Sequence, residues 1–386
     1  MPYPFPVLAT SLQPGSVLRA GALALLALAP LTALTATGSA GSTGSSSQSV
    51  SAAVTAPPKA LKTVQLVYPD SADLDWSSGE VKLAFVVDAH GQIGHLEVVQ
   101  GAHPAYTDAA LDALLATPYQ PARHGDQAVA MRVTREYQFK LKHIGVAEAL
   151  AIKSPLRSGQ RMEVAPAVLH AVWPVYPAAL LRAGVSGTAK LRARIDGEGT
   201  VASVALLTAS QPDFGRAAVA MMQAWRFTAL PAATAKAGTT ATAATAASTA
   251  PPLREVEYEQ HFSPAKPVET GVPASLPRLL ERLAQGNAGV AGAGELDAPL
   301  SPLLRVPPAT PPALRAERGT GRATVDFYVD EGGRVLLPEL VSASREDVGW
   351  AALTAVTSWR FAPPRRAGLP VFARGRAEVA VGDAAP

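Results

Sequence analysis

The sequence of 386 residues lacks cysteine, has few aromatic residues and carries little net charge. Without cysteine the chain has no disulfides, no thiolate metal ligands and no cysteine for an N-terminal lipid anchor. Aromatic residues make up only 6%, and much of the 48% hydrophobic content is alanine, so the cores should be small. The formal net charge is +3 and no dense run of lysine or arginine occurs, so we expect no nucleic-acid partner.

Motifs for catalysis and metal binding are also scarce. The chain has no G-x-S-x-G, no P-loop and no G-x-G-x-x-G between a strand and a helix. Three histidines lie near Asp88 in the sequence: His90, His95 and His103. Histidine and aspartate can bind zinc, but these residues lack the spacing of a helical zinc motif. Exposed turn and strand histidines are the preferred interpretation. We therefore expect a protein without enzymatic activity, cofactor, metal site or small-molecule substrate.

Three glutamates alternate along one segment of the chain: Glu255, Glu257 and Glu259. Alternation with a period of two places such side chains on the same face of a strand. We interpret them as a solvated face and not as a pair of catalytic carboxylates.

The N-terminus carries an apolar run at residues 20–36, which follows Arg19 and precedes small residues. Gly38, Ser39 and Ala40 fit a small-x-small cleavage site. The run is shorter than the roughly 20 apolar residues of a membrane span, and Pro30 interrupts it. Residues 1–40 are therefore predicted to be a signal peptide for export, with an uncleaved N-terminal anchor as the alternative.

One pattern occurs three times along the chain. Each copy contains an Asp-x-x-Gly, whose aspartate and glycine are Asp88 and Gly91, Asp196 and Gly199, and Asp330 and Gly333. Each aspartate lies 20 residues after the residue that precedes a proline: Tyr68-Pro69, Tyr176-Pro177 and Thr310-Pro311. Each aspartate also lies 9 residues after a glycine: Gly79, Gly187 and Gly321. The copies align without a gap.

Two of the copies end in the triplet Trp-Arg-Phe, 29 residues after the aspartate. The triplets are Trp225, Arg226 and Phe227, and Trp359, Arg360 and Phe361. The first copy has Thr117 at the tryptophan position. The copies are spaced by 108 and then 134 residues, whereas a solenoid would hold a constant period, so we predict separate domains.

Within each copy the sequence predicts β-β-α-β and thus an α+β fold. Apolar residues alternate before the Asp-x-x-Gly turn, a second strand follows, and apolar residues then recur at helical spacing up to the tryptophan. A last strand closes each copy. The sequence "LLPEL" contains Pro338 in the second strand of the third copy and indicates a bulge or an edge. In the triplets the tryptophan and phenylalanine are expected in the core, with the arginine outward.

The ordered set of Tyr-Pro, alternating strand, Asp-x-x-Gly, helix and Trp-Arg-Phe resembles the C-terminal domain of the TonB energy-transducer family. Residues 176–227 are most similar, 310–361 lack only the tyrosine, and 68–119 form a degenerate copy. The resemblance implies three tandem TonB-C-like domains in the periplasm of a Gram-negative bacterium. It also implies protein partners, with extended segments of outer-membrane receptors as candidates, and no catalytic residues.

If the resemblance extends to binding, the last strands would be the docking edges, because an open edge has unpaired backbone groups. They lie near 128–140, 254–262 and 370–381.

Two features of energy-transducing members are missing, a histidine in the apolar run and a long proline-rich spacer. A periplasmic binding protein is therefore preferred. A structural scaffold whose domains self-associate and a membrane-anchored transducer are the alternatives.

The predicted organisation alternates domains with segments rich in proline, alanine and glycine. Its parts are 1–40 signal peptide or anchor, 41–62 disordered linker, 63–143 degenerate domain, 144–165 linker, 166–263 domain with a disordered insert at 232–252, 264–303 linker with a short helix, and 304–383 domain.

Overall fold

The computed structural model describes six stretches of the chain, namely residues 56–69, 78–140, 167–229, 254–265, 270–286 and 289–382. The predicted N-terminal segment 1–40, the linker 144–165 and the insert 232–252 lie outside the described residues. Among the described helices, none has the length and apolar character needed to cross a membrane. The chain has mixed α and β structure.

The described residues of the first segment, 56–69 and 78–140, contain one helix and seven strands. In chain order they are β1 Lys59–Ala60, β2 Ser78–Val87, β3 Ile93–Gly101, α1 Pro104–Leu115, β4 Tyr119–Gln120, β5 Ala122–His124, β6 Gln127–Val129 and β7 Met131–Lys140. Strand β2 pairs antiparallel with β3 and β7, and α1 packs against β2 and β3. The buried face of β2 comprises Leu83, Phe85 and Val87, as the alternation predicted.

The second segment, residues 167–265, repeats this arrangement. Its elements are β8 Val168–His170, α2 Ala178–Arg182, β9 Gly187–Ile195, β10 Val201–Ala209, α3 Pro212–Ala224, β11 Arg226–Phe227 and β12 Arg254–Phe262. Strand β9 lies between β10 and β12 in an antiparallel sheet. Strands β8 and β11 instead extend the sheet of the first segment, in the order β11-β8-β3-β2-β7.

The third segment, residues 270–382, has the same central elements with additions. Its elements are α4 Leu276–Ala284, β13 Val290–Ala291, a 3-10 helix at Ala293–Glu295, β14 Pro302–Leu304, α5 Pro312–Ala316, β15 Gly321–Val329, β16 Val335–Ala343, α6 Glu346–Thr357, β17 Arg360–Phe361, β18 Arg365–Arg366, β19 Leu369–Pro370 and β20 Phe372–Val381. The sheet order is β13-β20-β15-β16, and α6 packs on β15, β16 and β20.

The bulge predicted at Pro338 is confirmed. Strand β16 is an edge of its sheet, and its register against β15 shifts between the pairs Asp326–Glu339 and Tyr328–Leu336. Leu337, immediately before the proline, has a φ of 45°. Proline cannot donate a ladder hydrogen bond, so Pro338 interrupts the pairing of β16. The extra residue of the bulge lies at this interruption.

Two regions predicted as linkers contribute strands. Strand β1 falls within the expected linker 41–62 and pairs with β4. Strand β13 and the first two residues of β14 fall within the expected linker 264–303, and these strands pair with β20 and β17. The short helix predicted in that region is α4, whose Leu276 and Leu279 are buried. The described parts of both regions therefore belong to the packed structure.

The hydrophobic core is shared between segments. The buried residues of the second and third segments form one continuous cluster, in which helices α3 and α6 pack against each other. The first segment has its own cluster around α1 and β2, to which Leu304 of the third segment also contributes. The sequence predicted separate domains joined by linkers, whereas the described segments are in direct contact.

Candidate functional site

The three Asp-x-x-Gly turns have the same hydrogen bonds. Oδ1 of Asp196 accepts from the backbone N–H groups of Glu198 and Thr200 at 3.0 and 2.8 Å. Asp88 and Asp330 make the corresponding pair of bonds in their own turns. An aspartate that accepts from the following backbone fixes a tight turn, so these carboxylates have a local structural role.

The glycine of each turn touches the segment that follows the helix. Gly91, Gly199 and Gly333 have φ values of 81°, 83° and 87°. A Cβ atom on Gly199 or Gly333 would overlap the carbonyl oxygen of the triplet phenylalanine, Phe227 or Phe361. Turn and triplet are therefore in contact, and this contact explains why the two motifs occur together.

The glycine that begins each first strand contacts the first turn of the helix. A Cβ atom on Gly187 would lie 2.6 Å from the ring of Phe214, and one on Gly321 would lie 2.6 Å from Val348. Gly79 faces Tyr106 in the same way. The missing side chain thus allows the helix to approach the sheet closely.

The tryptophans of the two triplets are buried and bonded to equivalent positions. The indole N–H of Trp225 donates to the carbonyl of Val172 at 3.2 Å, and that of Trp359 donates to Val306 at 2.9 Å. The donor and acceptor are 53 residues apart in both cases. Each tryptophan therefore fixes the chain that precedes its own copy, as well as filling the core.

The x-Pro positions lie at the start of short helices in two copies. Pro177 and Pro311 precede α2 and α5. The hydroxyl of Tyr176 donates to the carbonyl of Val185 at 2.6 Å, and burial raises the pKa of this tyrosine to about 12. In the first copy Tyr68, which precedes Pro69, packs edge-on against Phe139 with ring centroids 5.4 Å apart. These contacts give the x-Pro residues a role in the structure of each copy.

The triplet arginines differ from the outward orientation that we expected. Arg360 is only 5% exposed, and its guanidinium pairs with Asp108 of helix α1 in the first segment. Arg334, next to the third turn, pairs with Asp112 on the same helix. Arg226 is half-buried and donates to the carbonyl of Trp225 at 3.0 Å. Sequence reasoning missed the two aspartates, although their spacing places them on one face of α1.

Of the last strands predicted as docking edges, β7 and β12 lie at the edges of their sheets in the described part of the chain, and β20 lies next to an edge. Strands β7 and β12 each have a single neighbour, β2 and β9. Strand β20 pairs with β15 on one side, and β13 covers only its start, at Phe372 and Ala373.

Charged side chains of the edge strand β12 pair with those of its neighbouring strand β9. Glu255 and Glu257 of β12 bind Arg194 and Arg192 of β9 at 2.9 and 2.7 Å. The hydrogen bond from Arg192 lowers the pKa of Glu257. Glu259 is exposed and lies opposite Lys190 in the register. The predicted face of alternating glutamates is therefore matched by a row of cations on the neighbouring strand.

The histidines near Asp88 do not converge on a ligand. His90 is exposed in the turn and His95 follows it with a φ of 48°. His103 is the N-cap of α1, where its Nδ1 accepts from the backbone N–H of Ala105 at 3.2 Å, and burial lowers its pKa to about 4. The described residues contain no group of three or more His, Asp or Glu side chains that could hold a metal ion.

The helix-on-sheet segments and their buried motif define a small mixed α and β module. A family model described as Gram-negative bacterial TonB protein C-terminal matches residues 64–141 and 173–244. Each matched stretch contains one copy of the Asp-x-x-Gly pattern, with Asp88 in the first and Asp196 in the second, and the chain is similar to this family over these residues.

Among solved structures, the solution NMR structure of the Pseudomonas aeruginosa TonB CTD is similar to part of the chain. It is 24% identical and covers 23% of this chain and 90% of that chain, with a TM-score of 0.21. A comparison with curated proteins found no match.

Proposed function

We propose that the chain is a non-enzymatic, periplasmic TonB-like protein that binds extended segments of outer-membrane transport proteins by strand addition. In this proposal the three segments are tandem TonB-C-like domains. The observation that carries it is the position of β7 and β12 at sheet edges, together with β20, which β13 covers only at its start. An edge strand has a row of backbone donors and acceptors that an extended peptide can satisfy.

The regularity of these edges favours strand addition over a purely structural role. Strand β12 pairs with β9 through all nine of its residues without a shift in register. Strands β7 and β20 are equally regular against β2 and β15. The second strands of the copies, β3, β10 and β16, all contain register shifts, and a bulge disrupts further pairing.

Docking is tested by titrating the full mature chain, isotopically labelled, with peptides from the periplasmic segments of the host's outer-membrane transporters. We expect amide shifts concentrated in β12, β7 or β20. The matched control is the same peptide with proline at two central positions, which cannot complete a ladder. The absence of shifts at any edge would reject strand addition, and shifts that depend only on protein concentration would support a self-associating scaffold.

Export is tested by fractionation of the host and mass spectrometry of the mature N-terminus. A soluble periplasmic chain that starts near Gly41 is the expected result. An intact N-terminus in the inner membrane would instead favour the membrane-anchored energy transducer.

A further inference from the structure

A cavity of about 280 Å³ lies beside the arginine of the second triplet. Its wall is formed by the second and third segments together with strand β3 of the first. The charged and polar residues on it are Glu97, His170, Arg226 and Arg305, and most of the remaining wall is apolar. No residue of β7, β12 or β20 lines the cavity, so binding here can be tested separately from strand addition.

Arg226 and Arg360 occupy equivalent positions in their segments. Each begins a two-residue strand that pairs antiparallel with the strand preceding its own copy, β11 with β8 and β17 with β14. Each guanidinium donates to the carbonyl of its own tryptophan at 3.0 Å. Arg360 also has the carboxylate of Asp108, whereas Arg226 has no carboxylate within ion-pair distance among the described residues.

The charges around this cavity are predominantly positive. Burial lowers the pKa of Arg226, and the charge of Arg315 lowers it further, while the charge of Asp196 opposes both. The guanidinium of Arg305 lies 4.7 Å from the ring centroid of Trp359 and makes no ion pair within the described part of the chain. The acid on the wall, Glu97, is already paired with Arg132 at 2.5 Å.

His170, on the same cavity wall, is affected by the positive charge of Arg226. Burial lowers the pKa of this histidine, and the charge of Arg226 contributes in the same direction. Its Nδ1 is buried and has no hydrogen-bond partner among the described residues. A negative group next to Arg226 would offset the repulsion between Arg226 and protonated His170, and would therefore raise the pKa of His170.

We propose that this cavity binds a carboxylate of a peptide, which pairs with Arg226 and Arg305 as Asp108 pairs with Arg360. The planar guanidinium suits a carboxylate because it can donate two parallel hydrogen bonds. The apolar wall fits aliphatic residues on either side of the acid. The ligand class is thus a short acidic peptide with apolar neighbours, and a free carboxylic acid shares only the charged part of this recognition.

The test uses the full mature chain and three probes: the peptide acetyl-Ala-Val-Asp-Val-Ala-amide, its Asn counterpart and free succinate. We expect the Asp peptide to bind about tenfold more tightly than the Asn peptide, since a charge-assisted hydrogen bond is replaced by a neutral one. The pKa of His170, followed by NMR, should rise with the Asp peptide alone. Binding of succinate as tight as that of the Asp peptide would overturn the peptide assignment.

Variants separate binding from folding. Arg226→Gln and Arg305→Gln should each remove the preference for Asp over Asn. Arg305→Gln keeps the test valid if the first variant folds poorly, because Arg305 is exposed and makes no ion pair among the described residues. Arg322→Gln, at an exposed arginine outside the cavity, is the matched control and should retain the preference. Equal affinity for both peptides in the unmodified protein would reject the site, whatever the outcome at the sheet edges.

Discussion

The carboxylate of Asp108 pairs with the guanidinium of Arg360, which follows it by 252 residues in the chain. Their side chains are 22% and 6% exposed, so the pair is largely removed from water. The second carboxylate oxygen accepts from the indole N–H of Trp173 at 2.9 Å. One aspartate on α1 therefore binds residues of both other segments.

Replacing Asp108 by asparagine should destabilise the protein by about 3 kcal/mol, because a buried guanidinium then lacks a counter-charge. The matched control is Asp213→Asn, which breaks the exposed pair with Arg216 and should cost less than about 1 kcal/mol. The free energy of unfolding in urea measures both. The double variant Asp108→Leu/Arg360→Met should recover part of the loss, since it buries no charge. Equal stability of Asp108→Asn and the unmodified protein would contradict the prediction.

The turn glycine Gly333 should not tolerate alanine. Its φ of 87° disfavours an L side chain, and a Cβ atom would also overlap the carbonyl of Phe361, so we expect a loss of about 3 kcal/mol or more. Gly184 offers a control with a φ of 66° and open space around the missing Cβ. Gly184→Ala should cost only the conformational strain, about 1 kcal/mol. Similar midpoints of thermal unfolding for the two variants would show that the contact with Phe361 is unimportant.

The long elements could be predicted from sequence because their signals are local. Alternation identified β2, β9 and β15, and helical spacing identified the buried faces of α3 and α6. The turn between the first two strands follows from the hydrogen-bonding capacity of aspartate and the conformational freedom of glycine. Each of these features is decided within about ten residues.

The contacts between segments could not be predicted in the same way. Strands β1, β13 and β14 have two or three residues, which is too short for a periodic pattern, and their partners lie far away in sequence. An arginine is seldom buried without a partner, so the burial of Arg360 depends on a counter-charge. Its partner is on a helix of another segment, and local sequence does not specify that pairing.

Stability between pH 6.5 and 4 should depend on His103. Burial lowers the pKa of this histidine to about 4, so between about pH 4 and 6.5 the unfolded chain binds a proton that the folded chain does not. The contribution of neutral His103 to the free energy of unfolding is complete above pH 6.5. It falls by up to about 3 kcal/mol as the pH falls toward 4. His103→Asn keeps an N-cap acceptor without a titrating group. The variant should therefore lose less stability over this window, and identical pH profiles would contradict the assignment.

The second and third segments should unfold together. Helices α3 and α6 share one apolar cluster, in which Ala217 and Ala351 are 0% and 3% exposed. Hydrogen exchange of the β9 and β15 amides should therefore give the same opening free energy. Ala351→Glu buries a charge at this contact and should lower that free energy by about 3 kcal/mol or more, or divide the transition in two. Ala205→Glu, on the exposed edge of β10, is the control and should leave one transition, whereas separate opening free energies in the unmodified protein would show independent domains.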